Sequence, residues 1–337
     1  MSTPKDASDL FDPSRPVLIT GVAGFIGSHV AQAVLARGGS VAGVDNFDPY
    51  YDEQLKRANL REIIAGEGGA RFNFHEADIT DQRAMEEVFR ESGPSSVVHL
   101  AAKAGVRPSI EDPVGYAHAN VTGTSVILRA AERAGCGRIV AASSSSVYGS
   151  SEKVPFAETD DITRPISPYA ATKLATEAVC CTHAHLTGMP TACLRFFTVY
   201  GPRQRPDLAI RLFMRKIGAG EPIPFFGDGS TSRDYTFIDD IVSGVLASLE
   251  RVSEHGYRVW NLGSDRPVTL RELVETIGEV GGRKPEIDRR PMQPGDVPRT
   301  WADLTRAGEE LGYRPTTALR EGLERQHAWM KSVGECA

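Results

Sequence analysis

The chain has 337 residues, of which 41% are hydrophobic and 24% are charged, and its formal net charge is -6 at pH 7. This length is sufficient for one large α/β domain or two smaller ones. The acidic balance gives no reason to expect nucleic-acid binding or attraction to an anionic membrane. No run of about 18 apolar residues occurs in the sequence, so we expect no transmembrane helix.

Residues 1–15 are polar and lack the apolar core of a signal peptide, which predicts a flexible tail. The five cysteines show no spacing typical of a metal site or a disulfide framework. Two of them, Cys180 and Cys181, are neighbours in a predicted helix. We therefore expect free thiols, no bound metal and a cytoplasmic location.

From residue 16 onward, short apolar runs alternate with longer helical patterns. The apolar runs predict strands at 17–20, 41–44, 72–74, 97–100, 139–142 and 191–196. The helical patterns predict helices at about 25–37, 81–91, 115–134 and 167–187. Fully apolar strands that alternate with helices are typical of a parallel sheet covered on both faces, so residues 16–200 are predicted to form a doubly wound α/β domain.

After about residue 200 this alternation ends, and proline, glycine and arginine become frequent. Short helices are predicted at about 239–250, 269–280 and 316–332. We expect residues 201–337 to form mainly a smaller C-terminal α/β lobe with binding loops, where functional residues tend to lie.

The first predicted strand runs directly into a glycine loop, which contains Gly21, Gly24 and Gly27 and opens a helix. Glycine allows the backbone to turn tightly and approach a pyrophosphate, while the helix N-terminus favours negative charge. Asp45 ends the second strand, where a carboxylate binds ribose hydroxyls and repels a 2′-phosphate. The strand, loop, helix and acid together predict NAD binding in a Rossmann-type fold. Scattered turn glycines and a turn aspartate are the alternative.

Tyr169 and Lys173 lie four residues apart in a predicted helix, so they share one face of it. A cation one turn away favours the phenolate form of a tyrosine, whose ordinary pKa is about 10. The spacing alone also occurs by chance on surface helices.

The glycine spacing combined with Tyr-x-x-x-Lys resembles the extended short-chain dehydrogenase/reductase family, within it the NAD-dependent nucleotide-sugar epimerases and dehydratases. The resemblance covers about residues 17–330. It implies NAD contacts from the glycine loop and from the ends of the following strands. The implied residues are Gly21, Gly24, Phe25, Ile26, Gly27, Asp45, Asn46, Asp78, Ile79, Leu100, Ala101, Ala102, Lys103, Tyr169 and Lys173. For Lys103, exposure to solvent is the alternative.

The family also implies a catalytic serine or threonine at the end of the fifth strand, which here is Ser144, beside Tyr169 and Lys173. Related 4,6-dehydratases carry Asp-Glu at the next two positions, and related uronate decarboxylases carry Glu just before Val-Tyr-Gly. This chain has Ser145 and Ser146 there, which favours epimerisation at C4 through a 4-keto intermediate. A serine-rich turn or helix cap is the alternative interpretation of these positions.

Residues 45–57, 198–207 and 292–296 resemble most closely the UDP-glucuronate 4-epimerases. That resemblance implies a UDP-glucuronate/UDP-galacturonate substrate, with Ser144, Ser145, Ser146 and Thr198 near the sugar carboxylate. Arginine binds carboxylate or phosphate through charge-assisted bonds. The further candidates for substrate contacts are Arg107, Arg205, Arg233 and, for the uridine ribose, Asp296. Arg107 and Arg205 could equally lie in solvent or at an interface.

Three other functions stay open at this stage. They are a neutral UDP-hexose 4-epimerase, a decarboxylase or dehydratase, and a catalytically silent NAD-binding regulator. Many neutral-sugar epimerases carry an arginine where this chain has Gln293, which mildly favours a uronate. Relatives commonly form homodimers through two helices per subunit, which implies an interface at helices 115–134 and 167–187.

Overall fold

Seven parallel strands form the central sheet of the structure, a computed structural model that describes residues 11–291 and 297–336. Numbered along the chain, they are β1 (Val17–Thr20), β2 (Val41–Asp45), β3 (Phe72–Glu76), β4 (Ser96–His99), β5 (Ile139–Ser144), β6 (Thr191–Phe196) and β10 (Tyr257–Leu262). Their spatial order is β10-β6-β5-β4-β1-β2-β3. The order reverses between β1 and β4, which opens a crevice at the carboxyl ends of these strands. The predicted doubly wound, Rossmann-type sheet is confirmed.

Helices cover both faces of this sheet. They are α1 (Phe25–Ala36), α2 (Glu53–Ala65), α3 (Gln82–Ser92), α4 (Val106–Glu111), α5 (Pro113–Ala117), α6 (Gly123–Arg133), α7 (Pro168–Thr187) and α9 (Ile238–Arg251). On one face α1 packs against α2 and α9, and on the other α6 packs against α3 and α7. The predicted helix at 115–134 is divided, because one π-helical turn, His118–Thr122, joins α5 to α6. Helix α2 was not predicted.

The remaining elements build the smaller lobe. They are β7 (Thr198–Tyr200), α8 (Ala209–Ala219), β8 (Ile223–Phe226), β9 (Ser232–Phe237), β11 (Pro267–Thr269), α10 (Leu270–Val280), β12 (Ile287–Arg290), α11 (Thr305–Leu311) and α12 (Leu319–Ser332). The strands form one sheet of order β11-β9-β7 and a pair, β12-β8. Strand β10 comes from the second half of the chain but completes the central sheet beside β6. The segment after residue 200 therefore contributes to the central sheet as well as to the smaller lobe.

Two large clusters of buried apolar residues hold these layers together. One lies on the side of α1 and α9 and continues into the smaller lobe, with Trp260 and Tyr200 fully buried. The other lies under α3, α6 and α7 and includes Leu18, Phe89 and Ile127. Burying each such side chain stabilises the fold by about 1.5–3 kcal/mol. Among the described residues, no helix is long and apolar enough to span a membrane.

Candidate active site

The glycine loop leaves β1 and turns directly into α1. Gly21 adopts a left-handed conformation, with φ at 70°, and a Cβ there would lie 2.8 Å from the backbone nitrogen of Ala101. A Cβ on Gly27 would lie 2.1 Å from the carbonyl oxygen of Gly21. Both positions exclude any larger residue, Gly21 because the loop lies against the chain that leaves β4, and Gly27 because α1 begins against the backbone of the loop itself.

The amino end of α1 is built to receive an anion. Gly24 occupies the cap position and has no side chain to accept a hydrogen bond. The first backbone N–H groups of a helix have no partner within it, so those of Phe25, Ile26 and Gly27 face the crevice edge. The first turn contains no acidic residue to compete for them. These residues fit the diphosphate of a dinucleotide.

Asp45, at the end of β2, is already hydrogen-bonded to the loop. Its carboxylate accepts from the backbone N–H of Ala23 at 3.1 Å and of Phe47 at 2.9 Å. Burial raises the pKa of Asp45 despite these bonds. A carboxylate has about four acceptor positions. Asp45 therefore keeps capacity for two ribose hydroxyls.

Asn46 and Asp78 meet beside it, where the adenine end of the cofactor is expected. The amide nitrogen of Asn46 donates to Asp78 at 2.8 Å, and Thr80 also donates to Asp78 through its backbone N–H and its hydroxyl. Ile79, next along the chain, is buried and packs close to Gly123 on α6. The side chains predicted to contact the adenine are therefore held in place before any ligand arrives.

The chain that leaves β4 is tied to β1. The hydroxyl of Thr20 accepts from the backbone N–H of Leu100 and of Ala101, each at 3.1 Å. Ala102 follows in the same segment, and the ammonium of Lys103 pairs with Asp112 at 3.2 Å and Asp48 at 4.0 Å. Lys103 thus bridges two loops across the crevice, with about a third of its side chain exposed.

Tyr169 and Lys173 lie one turn apart on α7, as predicted. The hydroxyl of Ser167 caps this helix and Pro168 occupies its first turn, which places Tyr169 at the beginning of the helix. Ser144 ends β5, and its hydroxyl acts to lower the pKa of Tyr169. The ammonium of Lys173 is buried and donates to the carbonyl oxygen of Ala142 at 2.9 Å. The three predicted catalytic residues therefore meet at the carboxyl edge of the sheet.

The electrostatics of this group differ from the expectation that Lys173 lowers the tyrosine pKa. Burial raises the pKa of Tyr169, opposed by the hydrogen bond with Ser144 and by the charge of Arg205. The ammonium of Lys173 is instead hydrogen-bonded to the carbonyl oxygen of Ala142, so it interacts with the strand rather than with the phenol of Tyr169. Burial lowers the pKa of Lys173 to about 8.

The hydroxyl residues predicted near the sugar are brought together. Ser144 accepts from the backbone N–H of Ser146 and bonds its hydroxyl, each at 3.1 Å. Ser145 lies between them, in a single 3-10 turn. In the sheet Ser144 is paired with Phe196, and Thr198 follows two residues later on β7. Ser144 and Thr198 therefore lie at the same edge of the sheet, and Ser145 and Ser146 follow Ser144 in the adjoining turn.

Arg205 reaches the same edge from the smaller lobe. Its guanidinium binds the carboxylate of Asp207 through two nitrogens, at 3.0 and 2.8 Å, and donates to the carbonyl oxygen of Ala104 at 3.1 Å. These bonds use three of its five N–H groups. The charge of the guanidinium also acts to lower the pKa of Tyr169.

Two further predicted substrate residues lie on other elements of the chain. Arg107, on α4, stacks its guanidinium over the ring of Phe226 at 4.9 Å. Arg233, on β9, donates to the carbonyl oxygen of Ser232 at 2.9 Å. Asp296 falls outside the described residues. Arg107 thus lies beside the end of β8, and Arg233 lies on β9.

Sequence reasoning missed three residues of this site. The ring of Tyr116 packs edge-on against that of Tyr169, with centroids 6.2 Å apart. Tyr50 lies under Arg205 and donates to Asp207 at 3.2 Å. Buried Asn120, in the π-helical turn, bonds the backbone of Lys103 on both sides. Only Tyr50 lay in a segment already singled out, and the other two become visible once the helices are packed.

Comparison with known proteins agrees with this geometry. A family model described as GDP-mannose 4,6 dehydratase matches residues 18–326. The chain belongs to this family, within the extended short-chain dehydrogenases/reductases. The expected resemblance is confirmed.

Individual relatives are similar over almost the whole chain. A UDP-glucuronate 4-epimerase of Thermodesulfobacterium geofontis is 40% identical, over 93% of this chain and 95% of its own. The crystal structure of a Bacillus cereus UDP-glucuronic acid 4-epimerase, in complex with UDP-glucuronic acid and NAD, superposes with a TM-score of 0.87 at 33% identity. It covers 94% of this chain and 99% of its own. A Thermotoga maritima UDP-glucose 4-epimerase with UDP-glucose has a TM-score of 0.85 at 34% identity, over 94% of this chain and 99% of its own.

Replacing Gly27 with alanine tests the glycine loop. The added methyl group must displace the carbonyl of Gly21, at a cost of about 1–3 kcal/mol. We expect Gly27→Ala to weaken NAD binding roughly tenfold to hundredfold, measured by titration calorimetry on protein stripped of NAD. Gly308→Ala is the control, since its Cβ would approach nothing closer than 3.8 Å. Equal affinity in both variants would contradict the close approach.

Replacing Lys173 with methionine tests the buried charge. The pKa of Lys173 in the folded protein, about 8, is below that of an unfolded lysine, about 10.4. Between these values the unfolded state binds more protons, so this group makes stability rise with pH across that window. We expect Lys173→Met to raise the free energy of unfolding at pH 7 by about 1–3 kcal/mol, with no gain near pH 10.5.

Urea denaturation at the two pH values measures this effect. Lys331→Met, at an exposed position of α12, is the control and should stay within about 0.5 kcal/mol of wild type. A Lys173→Met variant less stable than wild type at pH 7 would show that the ammonium stabilises the folded state.

Proposed function

We propose that the protein catalyses the reversible 4-epimerisation of UDP-glucuronate to UDP-galacturonate through a transient 4-keto intermediate, with bound NAD. One observation carries this proposal: Ser144, Tyr169 and Lys173 meet at the edge of an NAD-type crevice, and Ser145 and Ser146 follow without a carboxylate. Relatives named UDP-glucuronate 4-epimerases support the choice of reaction.

NAD would be held by the glycine loop, the amino end of α1 and Asp45, and it supplies the acceptor for the C4 hydride. Tyr169 removes the proton from the O4 hydroxyl, and the hydroxyl of Ser144 holds that oxygen beside the phenol. Lys173 stabilises negative charge on this side of the cofactor. After the 4-keto sugar rotates, C4 would regain its hydride on the opposite face, and Tyr169 returns the proton to O4. No net oxidation occurs.

The neighbours of Ser144 explain why the reaction stops at epimerisation. Elimination of water requires a general acid and a general base around C5 and C6 of the sugar, roles that carboxyl groups perform in related dehydratases. Ser145 and Ser146 have hydroxyls with no acidic proton to give at neutral pH. Although the family model is described as a dehydratase, these residues do not support dehydration.

A uronate adds a second constraint. Oxidation at C4 beside a C5 carboxylate produces a β-keto acid, which loses carbon dioxide when the C5–C6 bond aligns with the carbonyl π system. Hydroxyl donors from Ser144, Ser145, Ser146 and Thr198 would hold the carboxylate away from that alignment without supplying an acid. Arg205, with two N–H groups beyond those bound to Asp207 and Ala104, would offset the carboxylate charge.

The nucleotide would extend from the catalytic group into the cleft of the smaller lobe. Arg107 on α4 and Arg233 on β9 are proposed to carry the positive charge that a diphosphate needs. Asp296 is proposed to bind the uridine ribose, on the resemblance of its segment alone. The smaller lobe is thus proposed as the nucleotide-sugar-binding part of the chain.

Proton NMR of purified protein with UDP-glucuronate tests the function. We expect the 4-epimer to appear while free NAD is not consumed. We also expect Tyr169→Phe to keep NAD and to lower turnover by about 10²–10⁴-fold. Tyr200→Phe is the matched control, because its hydroxyl bonds Leu319 away from the site.

The products decide between the alternatives. A UDP-pentose would indicate decarboxylation, and turnover of UDP-glucose but not UDP-glucuronate would replace the uronate by a neutral hexose. An unchanged rate in Tyr169→Phe would remove the tyrosine from its catalytic role.

We further propose that the protein forms a homodimer through α6 and α7. A shallow groove between these helices has small residues, Ser125 and Ala178, and an apolar rim. Leu186 on that rim is 76% exposed in the single chain. Small residues let helices of a second copy pack closely, as in a four-helix bundle.

Light scattering during gel filtration measures the oligomeric state. We expect wild-type protein to elute as a dimer and Leu186→Glu to dissociate at least in part, because the carboxylate would be buried without a partner. Ile64→Glu, at a 57% exposed position of α2, should stay dimeric. A monomeric wild-type protein would contradict the proposed interface.

A further inference from the structure

Three successive residues at the end of β5 face three successive turns of α7. Ala142 accepts from Lys173 and Ser143 donates to Glu177, and Ser144 acts on the pKa of Tyr169. Residues four apart on a helix lie above one another, so the three side chains of α7 form one row that faces the strand. Two of them belong to the proposed catalytic group. Glu177 is the third, and no step of the reaction uses it.

Glu177 is held in a buried network of charges and hydrogen bonds. It accepts from the hydroxyl of Ser143 at 2.5 Å and binds the guanidinium of Arg195, on β6, through both oxygens at 2.9 and 2.8 Å. Glu177 is 5% exposed and Arg195 is 2% exposed. Arg195 also donates to the hydroxyl of Tyr148, which donates to Asn261 on β10 at 2.7 Å. One carboxylate thus ties α7 to three strands.

The negative charge of Glu177 also favours the protonated form of Lys173, which lies one turn earlier on the same helix. Arg195 and Lys173 are both buried cations, and a buried charge without a partner is costly. Other titratable or charged groups face the Lys173–Tyr169 pair from the elements packed around it. They are His99 from β4, Tyr116 from α5, Cys180 from α7, Cys193 from β6 and Arg205 from the smaller lobe. Of the described groups that act on Lys173, Glu177 alone is a carboxylate.

We propose that Glu177 is a positioning residue for catalysis: it fixes α7 against the strand end that carries Ser144, and it offsets Arg195 so that Lys173 stays protonated. This inference rests on the proposed function. It assigns a functional reason to a buried ion pair that stability alone does not demand, since such pairs often contribute little net stability.

Glu177→Gln is the variant that separates charge from shape, because glutamine keeps the size and most of the hydrogen bonds. We expect kcat to fall roughly tenfold to hundredfold and KM for UDP-glucuronate to change less than about threefold. With Arg195 no longer offset, Lys173 loses its proton at lower pH. The alkaline limb of the kcat profile should therefore move down by about one pH unit.

Two further variants exclude a merely structural role. Glu310→Gln removes a similar carboxylate, which binds Arg258 and Trp260 on β10 without touching β5 or α7. It should lower stability and leave the pH profile unchanged. The double variant Glu177→Gln with Arg195→Gln restores the charge balance, so its alkaline limb should return toward that of wild type while kcat stays low.

The proton on Lys173 can also be followed without any substrate. Its ε-carbon NMR signal, assigned by its loss in Lys173→Met, should titrate at lower pH in Glu177→Gln than in wild-type protein. If wild-type protein fails to turn over UDP-glucuronate, the proposed substrate is wrong, and this titration still decides the role of Glu177.

The proposal is overturned if Glu177→Gln keeps the wild-type kcat, or if Lys173 titrates identically in both proteins. Should that variant not fold, Ser143→Ala decides the positioning role. Removal of this single hydrogen bond is expected to lower kcat about threefold to tenfold at unchanged KM. A wild-type kcat in Ser143→Ala would then refute it.

Discussion

The junction between the end of β5 and α7 is the constraint on which the active site depends. A strand end and a helix normally meet through apolar contacts, which allow small sliding movements. Here two successive strand residues, Ala142 and Ser143, are hydrogen-bonded to two successive turns of the helix. Because hydrogen bonds lose strength within a few tenths of an ångström, they fix the register between the two elements. Phenol, hydroxyl and ammonium therefore keep their relative positions while the sugar turns.

Many polar side chains around the site are buried. Buried polar and charged side chains are tolerated only when their partners are built in. Thr20, His99, Thr124 and Asn120 form one such chain between β1 and the π-helical turn, and burial lowers the pKa of His99 to about 3, which keeps that ring neutral. On the other side of Lys173, the Glu177–Arg195 pair is fully charged. Lys173 thus lies between a neutral network and an ionic one.

Much of this arrangement was predictable from the sequence. The apolar runs identified every strand of the central sheet except β10, and the glycine loop and Tyr169–Lys173 pair identified its functional edge. Helix α2 escaped prediction because it is strongly polar, with only Leu60 and Ile63 as buried apolar anchors. Strand β10 lies in the irregular second half, where nothing in its pattern distinguishes a central strand from a lobe strand.

Other features follow only from packing. The ammonium of Lys173 points toward Ala142 because β5 lies beside this face of α7. The periodicity of a helix in the sequence does not predict which strand packs against it. The same holds for Arg205, whose pairing with Asp207 and Tyr50 joins two loops about 150 residues apart. The carboxylate and uridine contacts were inferred from resemblance, and they stay predictions.

The position of β10 has a consequence for how the chain acquires its fold. Strand β6 is flanked by β5 on one side and by β10 on the other, and residues 201–256 separate β6 from β10. During synthesis, β6 therefore remains an open, apolar sheet edge until the ribosome has delivered the chain beyond residue 262. Such edges template intermolecular strand pairing. Pairing of β10 with β6 is therefore a late, long-range event in folding. Because residues of the smaller lobe separate these two strands, synthesis of this segment determines how long the edge of β6 stays exposed to intermolecular pairing.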